Sequence, residues 1–66
     1  MNIQMGETIK RLRIQKNITQ EELAVAMNVS AAAVSKWETG ITLPDISLLP
    51  QLAYFFKVSI DELMNY

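Results

Sequence analysis

The sequence predicts an all-α fold, a compact bundle of five short helices. Three observations carry that expectation. Apolar residues recur at helical spacing, as in Met5, Ile9 and Leu12 at i, i+4 and i+7. Two capping boxes, Thr19 with Glu22 and Ser59 with Glu62, mark helix starts, because each side chain can satisfy the other residue's free amide. Asn17, Asn28 and Gly40 stand where helices must end, and these residue types enter left-handed backbone at low cost. Hydrophobic residues make up 50% of the 66, enough to fill a small helical interior, although a chain of this length lies near the lower limit for a core without staples.

Taken in order, helix one is expected over 5–15, with Met5, Ile9 and Leu12 on its inner face. Asn17 provides the exit, and Ile18 packs before the Thr19 cap, placed to form a hydrophobic staple with Leu23. Helix two is expected over 20–27, burying Leu23, Ala24 and Met27. The small Ala24 permits a steep, close crossing over a short turn. Asn28 makes that turn, Val29 points inward, and Ser30 caps a third helix over 31–39, which Gly40 closes. Val34 and Trp37 share its inner face; that spacing assigns Trp37 to the core, against the alternative of a stacking aromatic in a single-strand binder. Pro44 in the loop 41–45 blocks helix continuation and keeps Leu43 extended. Pro50 is tolerable only in a first helical turn, which argues for Ser47 as the cap of a fourth helix over 47–56, with Ile46, Leu49, Leu52, Ala53 and Phe56 inward. Lys57 and Val58 turn the chain into a short fifth helix over 60–64. No repeat, low-complexity tract or linker interrupts the chain, so 1–66 is expected to be one domain.

Helices two and three therefore form a helix-turn-helix. With Ala33, Val34 and Trp37 inward, the outer face of the third helix shows Ala31, Ala32, Ser35, Lys36 and Thr39. A face this slim and polar, carrying one cation, suits a DNA major groove. The charge balance argues the other way. The net charge is −1 and the isoelectric point about 5.1, where a basic footprint is expected of a DNA binder. Distribution answers part of this: Lys10, Arg11, Arg13 and Lys16 cluster in or beside helix one, while Glu21, Glu22, Asp61 and Glu62 complement helix N-termini. A single copy should still bind DNA weakly, since it neutralises few phosphates.

The same composition excludes other classes. The sequence has no Cys and no His, so it offers neither a disulfide framework, nor a thiolate metal site, nor the usual general base. It lacks a glycine-rich phosphate loop as well, so no enzymatic activity, cofactor or small-molecule ligand is expected. No apolar run reaches membrane-spanning length, and MNIQMGETIK lacks a signal-peptide pattern, so a cytoplasmic protein without a membrane partner is expected. Tyr66 follows soon after the fifth helix, so no effector domain is expected within these residues; the alternative is a domain cut from a longer regulator.

The segments ITQEELA, VSAAAVSKWETG with its closing glycine, Pro44 and LAYFFKVSIDEL, strung from Ile9 to Leu63, together resemble the Cro/Xre-type helix-turn-helix family of phage repressors and bacterial regulators. The resemblance implies a lambda-repressor-like five-helix domain with helix three in the major groove, binding pseudo-palindromic operators as a homodimer. Carried over by position, it implies base reading by Ala31, Ala32, Ser35 and Lys36. It implies phosphate contacts from Gln20, Ser30 and Thr39, with Gln20 also able to reach a base, and a partly buried ion pair between Arg13 and Glu38. Two positions depart from the family pattern: Ala31 and Ala32 are short, limiting direct readout there to thymine methyls, and Asn28 replaces the usual glycine.

The plainer alternatives are a solvated Lys36, a backbone-bonded Ser35, a purely capping Ser30, and an Arg13 that contacts phosphate instead of Glu38. Lys10, Arg11 and Lys16 read as a solvated face. Tyr54, Phe55 and Tyr66 suggest a dimer surface that would set two reading helices about 34 Å apart; the alternative is that loop 41–43 or the last helix covers them. The expected function is sequence-specific binding of double-stranded DNA by a transcriptional regulator acting as a repressor. The rival is an antitoxin-like or other protein-interaction module that has kept the fold with weak or no DNA binding.

Overall fold

Five aliphatic side chains with no solvent exposure, one from each helix, meet at the centre of the molecule: Ile9, Leu23, Val34, Leu52 and Leu63. The computed structural model describes residues 5–64, and among them all regular structure is helical. The order is α1 (Met5–Gln15), α2 (Gln20–Met27), α3 (Ala31–Thr39), a 3₁₀ turn (Ile46–Leu48), α4 (Leu49–Phe56) and α5 (Ile60–Met64). α3 packs against both α1 and α2, and α5 bridges α1 and α4. Met5, Ala24, Met27, Trp37 and Leu49 complete the core, with Leu12, Ile18, Val29 and Phe56 half-buried around it.

Four residues adopt left-handed backbone where helices end: Asn17 (φ 62°), Asn28 (φ 59°), Gly40 (φ 83°) and Lys57 (φ 58°). A lysine has no side chain suited to that conformation, which costs about 1 kcal/mol. Lys57 is held there because the amides of Lys57 and Val58 satisfy the carbonyls of Tyr54 (3.1 Å) and Ala53 (2.9 Å) at the end of α4.

The start of α4 differs from the expectation drawn from Pro50. Ser47 does not cap the helix; its hydroxyl donates to Asp45 Oδ2 at 3.0 Å. The residue before α4 is Leu48, which has no side-chain oxygen. The cause lies in the amides themselves. The 3₁₀ turn directs the Leu49 N–H to the Ile46 carbonyl, and Pro50, in the first turn, has no N–H, so fewer amides are left for a cap to serve. Ile46 is 78% exposed, not inward. The α spacing that would align it with Leu49 and Leu52 does not extend back through the 3₁₀ turn.

Gly6 sits where α1 crosses the end of α3. A Cβ at this position would overlap the Trp37 carbonyl oxygen and lie 3.2 Å from the Glu38 carbonyl oxygen. Both obstacles are backbone, so neither can swing aside. Gly6→Ala should therefore destabilise the domain by about 2 kcal/mol, as overpacking does, read as a lower urea midpoint.

At the other end of the bundle, Ser59 and Glu62 form a reciprocal cap for α5, with Ser59 N–H donating to Glu62 Oε1 at 2.9 Å and Glu62 N–H to Ser59 Oγ at 3.0 Å. The hydrogen bond from the Ser59 backbone, and then that involving its side chain, hold the Glu62 carboxyl below the usual glutamate range. A carboxyl whose pKa is lowered by folding adds stability above its unfolded pKa and loses it as pH falls through the folded one. The stability difference between the natural chain and Glu62→Ala should thus be present at neutral pH and shrink through the carboxylate range, measured by thermal melts at successive pH values.

Candidate nucleic-acid interface

The turn between α2 and α3 is set by local hydrogen bonds. Thr19 Oγ1 accepts from Glu22 N–H at 3.0 Å while Glu22 Oε1 accepts from Thr19 N–H at 2.8 Å, fixing where α2 begins. Asn28 reverses the chain, and the Val29 N–H donates to the Ala24 carbonyl at 2.9 Å. Ser30 Oγ then accepts from Ala33 N–H at 3.1 Å, starting α3 at a fixed angle to α2. At the far end, left-handed Gly40 lets the amides of Ile41 and Thr42 return to the Lys36 carbonyl at 3.0 and 3.3 Å.

One side of α3 is buried through Val34, Trp37 and Glu38. The opposite side carries Ala32, Lys36 and Thr39 in a single exposed stripe, with Ser30 exposed just before it and Ser35 half-buried at its edge. Ala31 departs from the outward face: it is half-buried and packs against the core. It begins the helix directly over Val34, so its methyl is shared between the two sides. The Thr39 hydroxyl donates within the helix, to the carbonyls of Ser35 (3.1 Å) and Lys36 (3.3 Å). That leaves its oxygen able to accept.

Glu38 ends the buried side of α3, and three donors converge on it. Arg13 Nε donates to Oε2 at 2.6 Å, Arg13 Nη2 to Oε1 at 3.2 Å, and Gln20 Nε2 to Oε1 at 3.0 Å. The Arg13 and Glu38 side chains retain only 14% and 3% exposure. Arg13 Nη1 donates further to the Ile18 carbonyl at 2.8 Å, which holds the chain leaving α1. This one network therefore ties α1, α2 and α3 together. The family resemblance pairs Arg13 with Glu38 and gives Gln20 a phosphate contact with reach to a base; the bond from Gln20 to Glu38 is an addition. The one signal in the sequence is that Glu38 follows Val34 by a helical turn and adjoins Trp37, so it lies inward and needs partners.

The aromatic surface on α4 divides. Tyr54 is 86% exposed. Phe55 is not exposed with it: it is half-buried, packs edge-on to Phe56 at 5.1 Å, and is covered by the Lys16 ammonium 5.0 Å from its ring centre. Lys16, just past the end of α1, supplies cover that the sequence did not suggest. Tyr66 lies outside the described residues. Among the described residues, no group of acidic side chains is arranged to hold a metal ion, and no helix is long and apolar enough to cross a membrane.

A helix-turn-helix family model matches residues 9–63. The chain belongs to the Cro/Xre-type helix-turn-helix family. Within that family it is 43% identical over 63 residues to the HTH-type transcriptional activator BcrR of Enterococcus faecalis, covering 96% of this chain and 31% of the activator. The helix-turn-helix chain thus spans about a third of that relative's length. It is 34% identical over 62 residues to an uncharacterized HTH-type transcriptional regulator, MJ0272, of Methanocaldococcus jannaschii, covering 94% of each chain. Among solved structures, a transcriptional regulator from Listeria innocua superposes with a TM-score of 0.94 at 35% identity, covering 100% of this chain and 62% of that one. The P22 c2 repressor, crystallised with a synthetic operator, superposes at 0.87 with 32% identity, covering 98% and 97%.

Arg13→Ala would leave the Glu38 carboxylate of this helix-turn-helix domain buried and short of two donors. The expected loss is about 3 kcal/mol, read by chemical denaturation. The double variant Arg13→Met/Glu38→Leu removes both charges together and should stay much closer to the natural chain.

Proposed function

We propose that the chain binds double-stranded DNA sequence-specifically and acts as a transcriptional regulator. The observation that carries this reading is the exposed stripe of Ala32, Lys36 and Thr39 on a helix whose other side is locked into the core. α3 enters the major groove with this stripe leading. Ala32 offers a methyl to thymine, Lys36 donates to guanine O6 and N7, and Ser35 and Ala31 lie at the edge of the contact. Ser30, whose hydroxyl hydrogen is free, and Thr39, once its hydroxyl turns from the helix carbonyls, fix the register on phosphates from the two ends of the helix. With so few long polar side chains in the stripe, much of the discrimination falls to DNA shape.

The relatives support the reading: the P22 c2 repressor was crystallised with operator DNA, and the E. faecalis relative is a transcriptional activator. Repression is the sign we assign, because occluding a promoter requires nothing beyond occupied DNA. Such a role places the chain in the cytoplasm and requires no enzymatic activity. A net charge of −1 per copy implies that two copies bind together on a pseudo-palindromic site, with Tyr54 on the face between them.

The acidic isoelectric point of about 5.1 favours a second reading, a protein-interaction module that has kept the fold. Selection from a random duplex pool separates the two. Enriched inverted repeats, bound with an affinity that falls steeply as salt rises, are expected. Lys36→Glu should lower that affinity roughly tenfold or more with the helical content unchanged. A pool that stays random would leave the interaction module; an affinity unchanged by Lys36→Glu would remove the reading role from Lys36.

A further inference from the structure

A groove of about 630 Å³ opens between the end of α2 and α4. Its walls are Met27, Ala53, Phe55 and Val58, all buried or half-buried. That volume, and an apolar lining broken by a few polar groups, are what small-molecule sites have in common. Met27 adds a side chain that reshapes easily around an occupant. The two helices are separated in the chain by the whole of α3, so no local pattern announces the groove.

Charge selects the occupant. Among the described residues, no acid lines the groove, and Lys57 is the only charged residue that does. The Lys57 side chain is exposed, and no described carboxylate lies within ion-pair distance of its ammonium. Lys16 places a second ammonium 5.0 Å from the ring centre of Phe55, one of the walls. In a chain of net charge −1 this is a local reversal of sign. An apolar cleft bordered by positive charge alone gathers anions. The lysine is also held at a cost. Lys57 has φ 58°, in backbone that Asn17, Asn28 and Gly40 enter more easily at the other helix ends. Strain kept at one position points to a use for the side chain there.

We propose that this groove binds a small organic anion with an apolar body, an aryl or alkyl carboxylate. Its acid group meets the Lys57 ammonium, and its hydrocarbon lies against Met27, Ala53, Phe55 and Val58. None of the lining comes from α3, so the site does not depend on DNA binding.

The isotopically labelled full chain, titrated with naphthaleneacetate and separately with its uncharged amide, naphthaleneacetamide, tests this by nuclear magnetic resonance. Backbone amide shifts should concentrate at 26–27 and 51–58. The acid should bind roughly fivefold more tightly than the amide at low salt, as one exposed ion pair allows, and the advantage should fade as salt rises. Lys57→Asn should bring the acid down to the affinity of the amide and leave the amide unchanged. Asparagine is easier in left-handed backbone, so the urea midpoint of that variant should be no lower than that of the natural chain. Ala26→Glu, at an exposed helical position beside the groove, should weaken the acid more than the amide.

Equal affinities for acid and amide, or an acid advantage that survives Lys57→Asn, would overturn the proposal. So would shifts centred on Lys10 and Arg11, or no shifts at all. An acidic amphipathic peptide that moves the groove resonances where neither small molecule does would make this a protein-docking surface and overturn it as well. The selection of DNA sites described above is unaffected by each of these results.

Discussion

A single carboxylate, that of Glu38, governs the geometry of the first three helices. Apolar contacts press α1, α2 and α3 together, but burial is non-directional and would tolerate a range of crossing angles. The hydrogen bonds converging on Glu38 from Arg13 and Gln20 narrow that range, because each has a length and an angle to satisfy. The gain is in orientation more than in stability, since a buried ion pair contributes little net free energy over apolar replacements. Gly6 allows the arrangement from the other side: only without a Cβ can α1 come close enough to the last turn of α3 for Arg13 to reach.

This geometry bears on how so acidic a chain can meet DNA. The outward stripe of α3 carries one cation and two short side chains, so it fits the groove by being narrow, not by attraction. Recognition by a slim helix needs that helix to be held stiffly, because a methyl contact to thymine is lost with a small displacement. Caps at both ends, Ser30 and Gly40, and the network beneath supply the stiffness. The acids nearest the motif are partly occupied: Glu22 accepts from the Thr19 amide, and Glu38 is buried against Arg13.

Features that depend on a few neighbouring residues were legible in the sequence. The two capping boxes, the left-handed asparagines and the inward Val34 and Trp37 each follow from spacings of four residues or fewer. Features set by competition between local partners were not. Ser47 is a good capping residue, yet a 3₁₀ turn and a proline had already removed the amides it would serve. Features set by distant parts of the chain were hidden for another reason. Gln20 and Glu38 are 18 residues apart, and neither periodicity nor motif joins them. Phe55 reads as exposed until Lys16 arrives from the end of α1, and Gly6 reads as an ordinary helical glycine until α3 crosses it.

The central cluster also bears on how the molecule comes apart. Because each helix lends one wholly enclosed side chain to the same core cluster, loss of any helix opens that cluster. Cooperative opening of so small a core is the expectation, with α3 presented while the whole cluster is closed. The chain's grip on a ligand and its resistance to proteases should rise and fall as one quantity, tied to the population of the closed form. Lifetime in the cell and occupancy of a target site would then share a single equilibrium.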